Sequence, residues 1–258
     1  QKKLIKQVLE YCKIDKEVSE SIYLNEIQNI KDEKIFPQDK SKISKYSSLE
    51  NIDEIYNIYQ QRLIEINAVD FGDILLHSYF ILTNNKDIQE THSNFIQHIL
   101  IDEFQDTNLL QYDLIKLLLN NNQNLFCVGD DDQSIYAWRG AKIENIINFP
   151  NEFNCEVVRL TKNYRSNNAI LEAASSVISN NKNRLGKNLE SYNNEIPEQK
   201  INLKSFYSQE EESLWVADNI SRKYNDQETF GILVRLTAQM RSIEDKLIKY
   251  ALPYEIIG

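Results

Sequence analysis

The sequence predicts an α/β protein, with short parallel strands joined by helical crossovers and a polar, mostly helical segment in front of them. Three observations carry this expectation. Two short apolar runs, His98-Ile99-Leu100-Ile101 and Leu125-Phe126-Cys127-Val128, each end abruptly in a carboxylate-rich stretch. A helical pattern over about 109–120 separates them, and parallel neighbours require such a crossover. Over residues 1–62 the apolar positions recur at helical rather than strand spacing.

Taken in order, Leu4, Ile5, Val8, Leu9 and Cys12 predict a first helix, and Ile22, Leu24, Ile27 and Ile30 a second. The lysine- and serine-rich stretch 34–48 around Pro37 predicts a loop. Ile55, Ile58, Tyr59, Leu63 and Ile66 share one face of a helix over 52–67. Lys31, Lys34, Lys40, Lys42 and Lys45 make this the most basic region, and such a run reads first as a solvated face. Asp70 stands as the N-cap of a helix opening at Phe71. Strand 98–101, helix 109–120, strand 125–128 and a helix over 143–149 follow, then a third strand, Val157-Val158-Arg159-Leu160. A new block starts near 165 with a helix over 168–179 and a polar loop over 180–200 containing Pro197. Strands over 201–207, 230–235 and 254–257, with helices over 210–224 and 239–250, predict a second α/β unit.

The 258 residues suit one large domain or two to three small ones. A net charge of -10 gives no support to broad, non-specific polyanion binding, although a local basic groove is compatible with it. Cys12, Cys127 and Cys155 are odd in number and contain no Cys-x-x-Cys pair, so they read as reduced thiols rather than a disulfide framework or zinc site. Cys127, within an apolar strand, reads as a core residue. No apolar run is long enough for a transmembrane helix, and no secretory signal is visible. The chain begins at Gln1 inside a helical pattern and ends just after an apolar run, so both ends read as cut.

The chemistry concentrates at the two strand ends. Asp102-Glu103 closes the first apolar run, where a carboxylate can bind Mg²⁺ and its neighbour can orient and deprotonate a water attacking phosphorus. The plainer reading is an acidic turn capping the next helix. Gln105 and Gln133 favour the first, because an amide donates and accepts and so can hold a water or a terminal phosphate oxygen. Tyr136, Trp138 and Arg139 then place two aromatics and a guanidinium on one short stretch, a set suited to stacking on bases and pairing with phosphate. A core tryptophan beside a salt-bridged arginine is the competing reading. Arg165, after Asn163-Tyr164, suits either charge stabilisation on a transferring phosphoryl group across a cleft or an interdomain salt bridge.

Together these blocks resemble motifs II, III and IV of the superfamily 1A DNA helicases, the UvrD/Rep/PcrA group. The run Gly129-Asp130-Asp131-Asp132-Gln133-Ser134-Ile135-Tyr136-Ala137-Trp138-Arg139-Gly140-Ala141 is the most specific part of the likeness. Asp70-Phe71-Gly72-Asp73 resembles the element ahead of motif II, and Arg184-Leu185-Gly186-Lys187-Asn188-Leu189 the opening of the second motor domain. The resemblance implies a partial RecA-like P-loop NTPase fold. Residues 1–62 would be a 1B-like helical accessory subdomain, 63–165 the C-terminal portion of motor domain 1A, and 166–258 the start of motor domain 2A, cut before 2B. It implies ATP and Mg²⁺ as cofactors, with Asp102 on the metal and Glu103 as general base. Gln133 would sense the γ-phosphate, Tyr164 stack on adenine and Arg165 act as the arginine finger. Tyr136, Trp138 and Arg139 would lie along single-stranded DNA. The implied partners are single-stranded DNA, single/double-strand junctions and repair proteins, with no membrane. The implied location is cytoplasmic and nucleoid-associated.

Thr161-Lys162 stands where that family has Glu-Gln, and Gly72 replaces an acid. No Gly-x-x-x-x-Gly-Lys-Ser/Thr occurs in the sequence. The expectation is therefore a fragment of an ATP-dependent 3′-to-5′ helicase that turns hydrolysis into translocation and unwinding in repair or replication, itself inactive as an ATPase. A fragment of an AddA/RecB-type helicase–nuclease subunit and a non-catalytic DNA- or protein-interaction module are the alternatives.

Overall fold

The apolar spacing of the N-terminal segment is realised as four helices, α1 (Lys2–Tyr11), α2 (Glu20–Asp32), α3 (Lys40–Tyr46) and α4 (Ile52–Glu65). Ile5, Val8, Ile27, Ile30, Ile55 and Tyr59 meet in one buried cluster. The computed structural model describes residues 1–14, 19–119, 124–182, 184–192, 200–225 and 227–257. Helix α3 overturns the loop expected over 34–48. Seven residues present too little periodicity to be read, and the buried side chain of Ile43 joins this helix to the cluster around α4. Such a short helix persists by docking rather than by propensity.

The solvated-face reading of the lysines fails at Lys31. Lys40, Lys42 and Lys45 are exposed, but the Lys31 side chain is wholly buried, 2.7 Å from Asp70 and 2.8 Å from Asp73. Those acids open α5 (Phe71–Asn84) in a reciprocal capping box. A Cβ at Gly72 would lie 2.9 Å from Lys31 Cδ and 2.5 Å from Gln28 Oε1. The lysine stem thus fills the space an acidic side chain at 72 would need.

Helix α6 (Lys86–Phe95) leads into β1 (His98–Ile101), α7 (Leu109–Leu118) and β2 (Asn124–Cys127). The strands pair in parallel, His98 opposite Asn124 and Ile101 opposite Cys127, as the crossover predicted. Asn108 caps α7 in a second capping box, with Gln111 as its partner. Phe104, Tyr112 and Phe149, the last from α8 (Ile143–Phe153), form the core beneath the strand ends, with Cys127 against it. Cys127 is half-buried there rather than a core residue, and burial pushes its thiol up to about 12. A second, minimal parallel pair joins β3 (Lys162–Asn163) to β4 (Glu190–Ser191).

Among the described residues, 157–160, 201–207, 230–235 and 254–257 form no strands, against expectation. Val158, Leu160, Leu203 and Leu233 stay exposed. Apolar composition favours an extended backbone, but a strand requires a neighbour to take its hydrogen bonds. The expected loop around Pro197 lies outside the described residues.

The chain divides into two compact units, one of Gln1–Ser166 with Leu171–Tyr192, the other of Asn167–Ile170 with Asn193–Gly258. Helix α9 (Asn168–Ile178) contributes to both. In the second unit, α10 (Gln209–Lys223) and α11 (Met240–Lys249) pack through Ala217, Leu247 and Leu252. The result is a mixed α/β protein with small parallel sheets, flanking helices and a helical subdomain, consistent with part of a RecA-like fold. No helix among the described residues is long and apolar enough to cross a membrane.

Candidate functional site

Parallel pairing brings the carboxyl ends of β1 and β2 side by side, where ligands collect in open α/β sheets. Asp102 and Glu103 leave β1 exposed to solvent, and Asp102 Oδ1 accepts the Glu103 N–H at 2.9 Å. Glu103 itself lies in the left-handed region, φ 50° and ψ 43°. A non-glycine residue there carries backbone strain, which recurs at functional sites. The surrounding bonds enforce it. Phe104 donates its N–H to the Val128 carbonyl at 3.0 Å, and Val128 donates to Ile101 at 2.8 Å.

Gln105 does something the sequence reading missed. It is buried; its amide donates to Glu103 Oε2 at 2.7 Å, and its Oε1 accepts the Asp130 N–H at 2.9 Å. Both ends are thus spent on protein, so Gln105 ties the two strand ends together instead of holding a ligand. Its signal was the glycine. A Cβ at Gly129 would lie 2.8 Å from Gln105 Oε1 and 2.8 Å from Ile146 Cδ1, so only glycine admits this approach.

Beyond Gly129, Asp130 caps a 3-10 turn over Asp131–Gln133. Its Oδ1 accepts the Asp132 N–H at 3.0 Å, and its Oδ2 accepts the Gln133 amide at 2.7 Å. Burial pushes the Asp130 carboxyl up, but the Lys187 ammonium and the Gln133 amide outweigh it and hold the group below the usual carboxylate range. Gln133 stays exposed. The structure therefore brings together Asp102, Glu103 and Gln133, through Gln105 and Asp130.

Tyr136, Trp138 and Arg139 form a second group on a 3-10 turn over Ala137–Arg139, closed by Gly140 at φ 84°. Trp138 is 64% exposed, which rules out the core-tryptophan reading. The Arg139 guanidinium pairs with no acid among the described residues. It lies 4.6 Å from the Trp138 ring and 5.1 Å from Tyr136. All three line an open cleft of about 720 Å³ together with Asp32, Phe71 and Asp106. Phe71 projects from the N-terminus of α5, a wall the sequence reading did not connect with this loop.

Tyr164 and Arg165 follow β3 on a turn in which Asn163 Oδ1 accepts the N–H groups of Arg165 and Ser166 at 2.9 and 2.7 Å. The Tyr164 ring rests on Tyr192, centroids 4.5 Å apart. Among the described residues no hydrogen bond or ion pair joins Arg165 to Glu103 or Gln133, and none binds it to an acid.

The donor set suits a hydrated Mg²⁺ and the terminal phosphates of a nucleotide. The exposed carboxylates of Asp102 and Glu103 and the exposed amide of Gln133 are all hard oxygen or amide groups at adjoining strand ends. The phosphate-wrapping loop has no counterpart in the sequence.

Comparison with known proteins shows the family. Residues 1–154 match the UvrD/REP helicase N-terminal domain and residues 158–258 the UvrD-like helicase C-terminal domain. A probable DNA helicase II homolog of Rickettsia felis is 38% identical over 266 residues, spanning all of this chain and 40% of that protein. DNA helicase II of Haemophilus influenzae is 39% identical over 90% of this chain and 32% of its own length. The ATP-dependent DNA helicase PcrA of Staphylococcus aureus is 35% identical over all of this chain and 36% of its own. The chain thus spans at most about two fifths of these relatives.

Proposed function

Because the chain belongs to the UvrD/REP helicase family, we propose that it is the portion of an ATP-dependent DNA helicase motor that links water activation to a single-stranded DNA track. The observation that carries the proposal is one continuous stretch. Gly129 to Gln133 is bonded to the Asp102-Glu103 strand end, and the same chain runs on into Tyr136, Trp138 and Arg139 in the cleft. A change felt at Gln133 has only a few residues to travel before it reaches the aromatic pair.

In this reading Asp102 holds Mg²⁺, Tyr164 packs on the adenine, and Arg165 supplies positive charge beside the terminal phosphate. Bound ATP supplies the free energy of phosphoryl transfer to water. Glu103 orients that water and takes its proton. Gln105 occupies Oε2, which leaves Oε1 as the basic oxygen. One N–H of Gln133 goes to Asp130, leaving the other for a phosphate oxygen. Trp138 and Tyr136 stack on bases without reading sequence, and Arg139 pairs with the DNA backbone. Translocation along one strand, 3′-to-5′, and unwinding at a single/double-strand junction are the work these parts support.

The test is ATP hydrolysis by the native gene product with and without oligo(dT). Glu103→Gln removes the base and keeps the Gln105 contact within reach, so DNA-stimulated turnover should fall by a factor of roughly 10² or more. Undiminished turnover in that variant would overturn the proposal.

A further inference from the structure

Asp130, Asp131 and Asp132 place carboxylate oxygens within 4.8 Å of one another, the one acidic cluster among the described residues with the geometry of a cation site. Every one of the three is already answered by protein. The Arg184 guanidinium forks onto Asp132, Nε to Oδ1 at 2.8 Å and Nη2 to Oδ2 at 2.6 Å. The Leu185 N–H donates to Asp131 Oδ2 at 2.7 Å. The Lys187 ammonium pairs with Asp130 Oδ2. Three residues thus address three consecutive acids in reverse order, more than fifty positions away in sequence. All of these partners lie in the first compact unit.

We infer that Arg184, Leu185 and Lys187 form a strap that holds the Gln133 loop in its working position, with Lys187 as a positioning residue for the water-activating site. The inference rests on the helicase reading above. Asp130 Oδ2 is shared by Lys187 and the Gln133 amide. The Asp130 N–H is held by Gln105, which also holds Glu103. One ammonium therefore sits at the junction of two branches, one ending at Gln133 and the other at the Glu103 carboxylate. Three adjoining carboxylates without this strap would repel one another, and the 3-10 turn that aims Gln133 would open. The forked arginine adds direction as well as charge. The Lys187 and Asp130 side chains are about one-fifth exposed, so the pair is sheltered yet able to exchange.

The experiment uses the native gene product with ATP and oligo(dT), comparing wild type, Lys187→Met, Lys187→Arg and Glu103→Gln, with thermal melts on each. Lys187→Met should lower DNA-stimulated kcat on the order of tenfold, because small misplacements of positioned groups are costly. KM for ATP should stay within about twofold, and Lys187→Arg should recover most of the loss. A melting midpoint near wild type in Lys187→Met separates positioning from folding. The inference is overturned if Lys187→Met keeps wild-type kcat while Glu103→Gln abolishes it, since the helicase reading then survives without the strap. It is overturned too if kcat falls only in step with the melting midpoint, or if Lys187→Arg fails to rescue. If wild type shows no DNA-stimulated hydrolysis, or Glu103→Gln leaves it untouched, the helicase reading falls and takes the strap with it.

Discussion

Lys31 Nζ lies 2.7 Å from Asp70 Oδ2, with the lysine side chain wholly buried. Asp73 Oδ1 stands 2.8 Å away on the other side, the Tyr59 hydroxyl donates to the same Asp70 oxygen at 3.1 Å, and the Tyr56 and Tyr59 rings flank the ammonium. The triad joins α2 to the capped N-terminus of α5 and so sets where Phe71 enters the cleft.

Removing the cation alone strands two buried carboxylates. Lys31→Met should cost about 3–5 kcal/mol of stability. The triple change Lys31→Met, Asp70→Asn, Asp73→Asn should regain much of it, because apolar and neutral groups need no counter-charge there. Urea melts of the first unit's signal decide this. An equal loss in single and triple variants would show that the triad contributes shape and not charge. The acid side has a definite sign. Burial pushes Asp73 up, but Lys31 outweighs it and holds the carboxyl below its ordinary value. Its contribution is present above that ordinary value and is lost as pH falls through the lower, folded one.

Asp32 titrates the other way. Burial raises its carboxyl to about 6, although the Gln28 and Asn108 amides pull it down. A raised acid keeps its proton longer in the folded state, so stability falls as pH climbs from the ordinary value near 3.8 to about 6, then stays reduced. Asp32→Asn keeps the shape and never ionises. It should raise stability on the order of 1–3 kcal/mol at pH 8 and give no advantage near pH 3.5. Thermal melts at the two values test this. A benefit of equal size at both would mean that something other than ionisation is responsible.

Gly129→Ala puts a methyl where Gln105 Oε1 and Ile146 now stand, each 2.8 Å from the new carbon. Gln105 has no slack, because its two ends are bonded to Glu103 and Asp130. The variant should lose roughly 1–3 kcal/mol of stability from overpacking, and its DNA-stimulated ATPase should drop further than stability alone explains. Gln105→Glu, which loses the amide donor, should reproduce the activity loss without the steric cost. Wild-type turnover by both would remove Gln105 from the site.

What the sequence made legible was local or periodic. The face of α1, most of the faces of α2 and α4 (Ile22 and Ile66 stay exposed), the Asp70 cap, and the parallel β1–α7–β2 unit follow from spacing that each segment carries by itself. The groups at the strand ends were picked out by residue type, and Glu103, Gln133 and Trp138 stand exposed. Partnerships across sequence distance were not legible. Nothing near Lys31 says that its ammonium meets Asp70, 39 positions away. Nothing near Gln105 distinguishes an amide that ties two strands from one that binds a phosphate. The unpaired runs 157–160, 201–207 and 230–235 fail for the same reason, since β propensity is a property of a segment and pairing a property of its neighbours.

The exposed aromatics in the cleft make the sharpest prediction about DNA. Arg139 already stacks on Trp138 at 4.6 Å, so the loop is organised before any base arrives and little ordering entropy remains to be lost on binding. Stacking is worth roughly 1–3 kcal/mol per base and ignores sequence, so Trp138→Ala should weaken oligo(dT) and oligo(dC) binding alike, by about tenfold or more. Because indole carries no charge, the slope of log K against log salt should not change. Arg139→Ala should act on that slope, reducing it by about 0.7 for one lost phosphate contact on a single strand. Fluorescence anisotropy across a salt series, on the native gene product, separates the two. If Trp138→Ala changes the slope and not the affinity at fixed salt, or Arg139→Ala leaves the slope as it was, the cleft does not hold DNA in the manner its side chains imply.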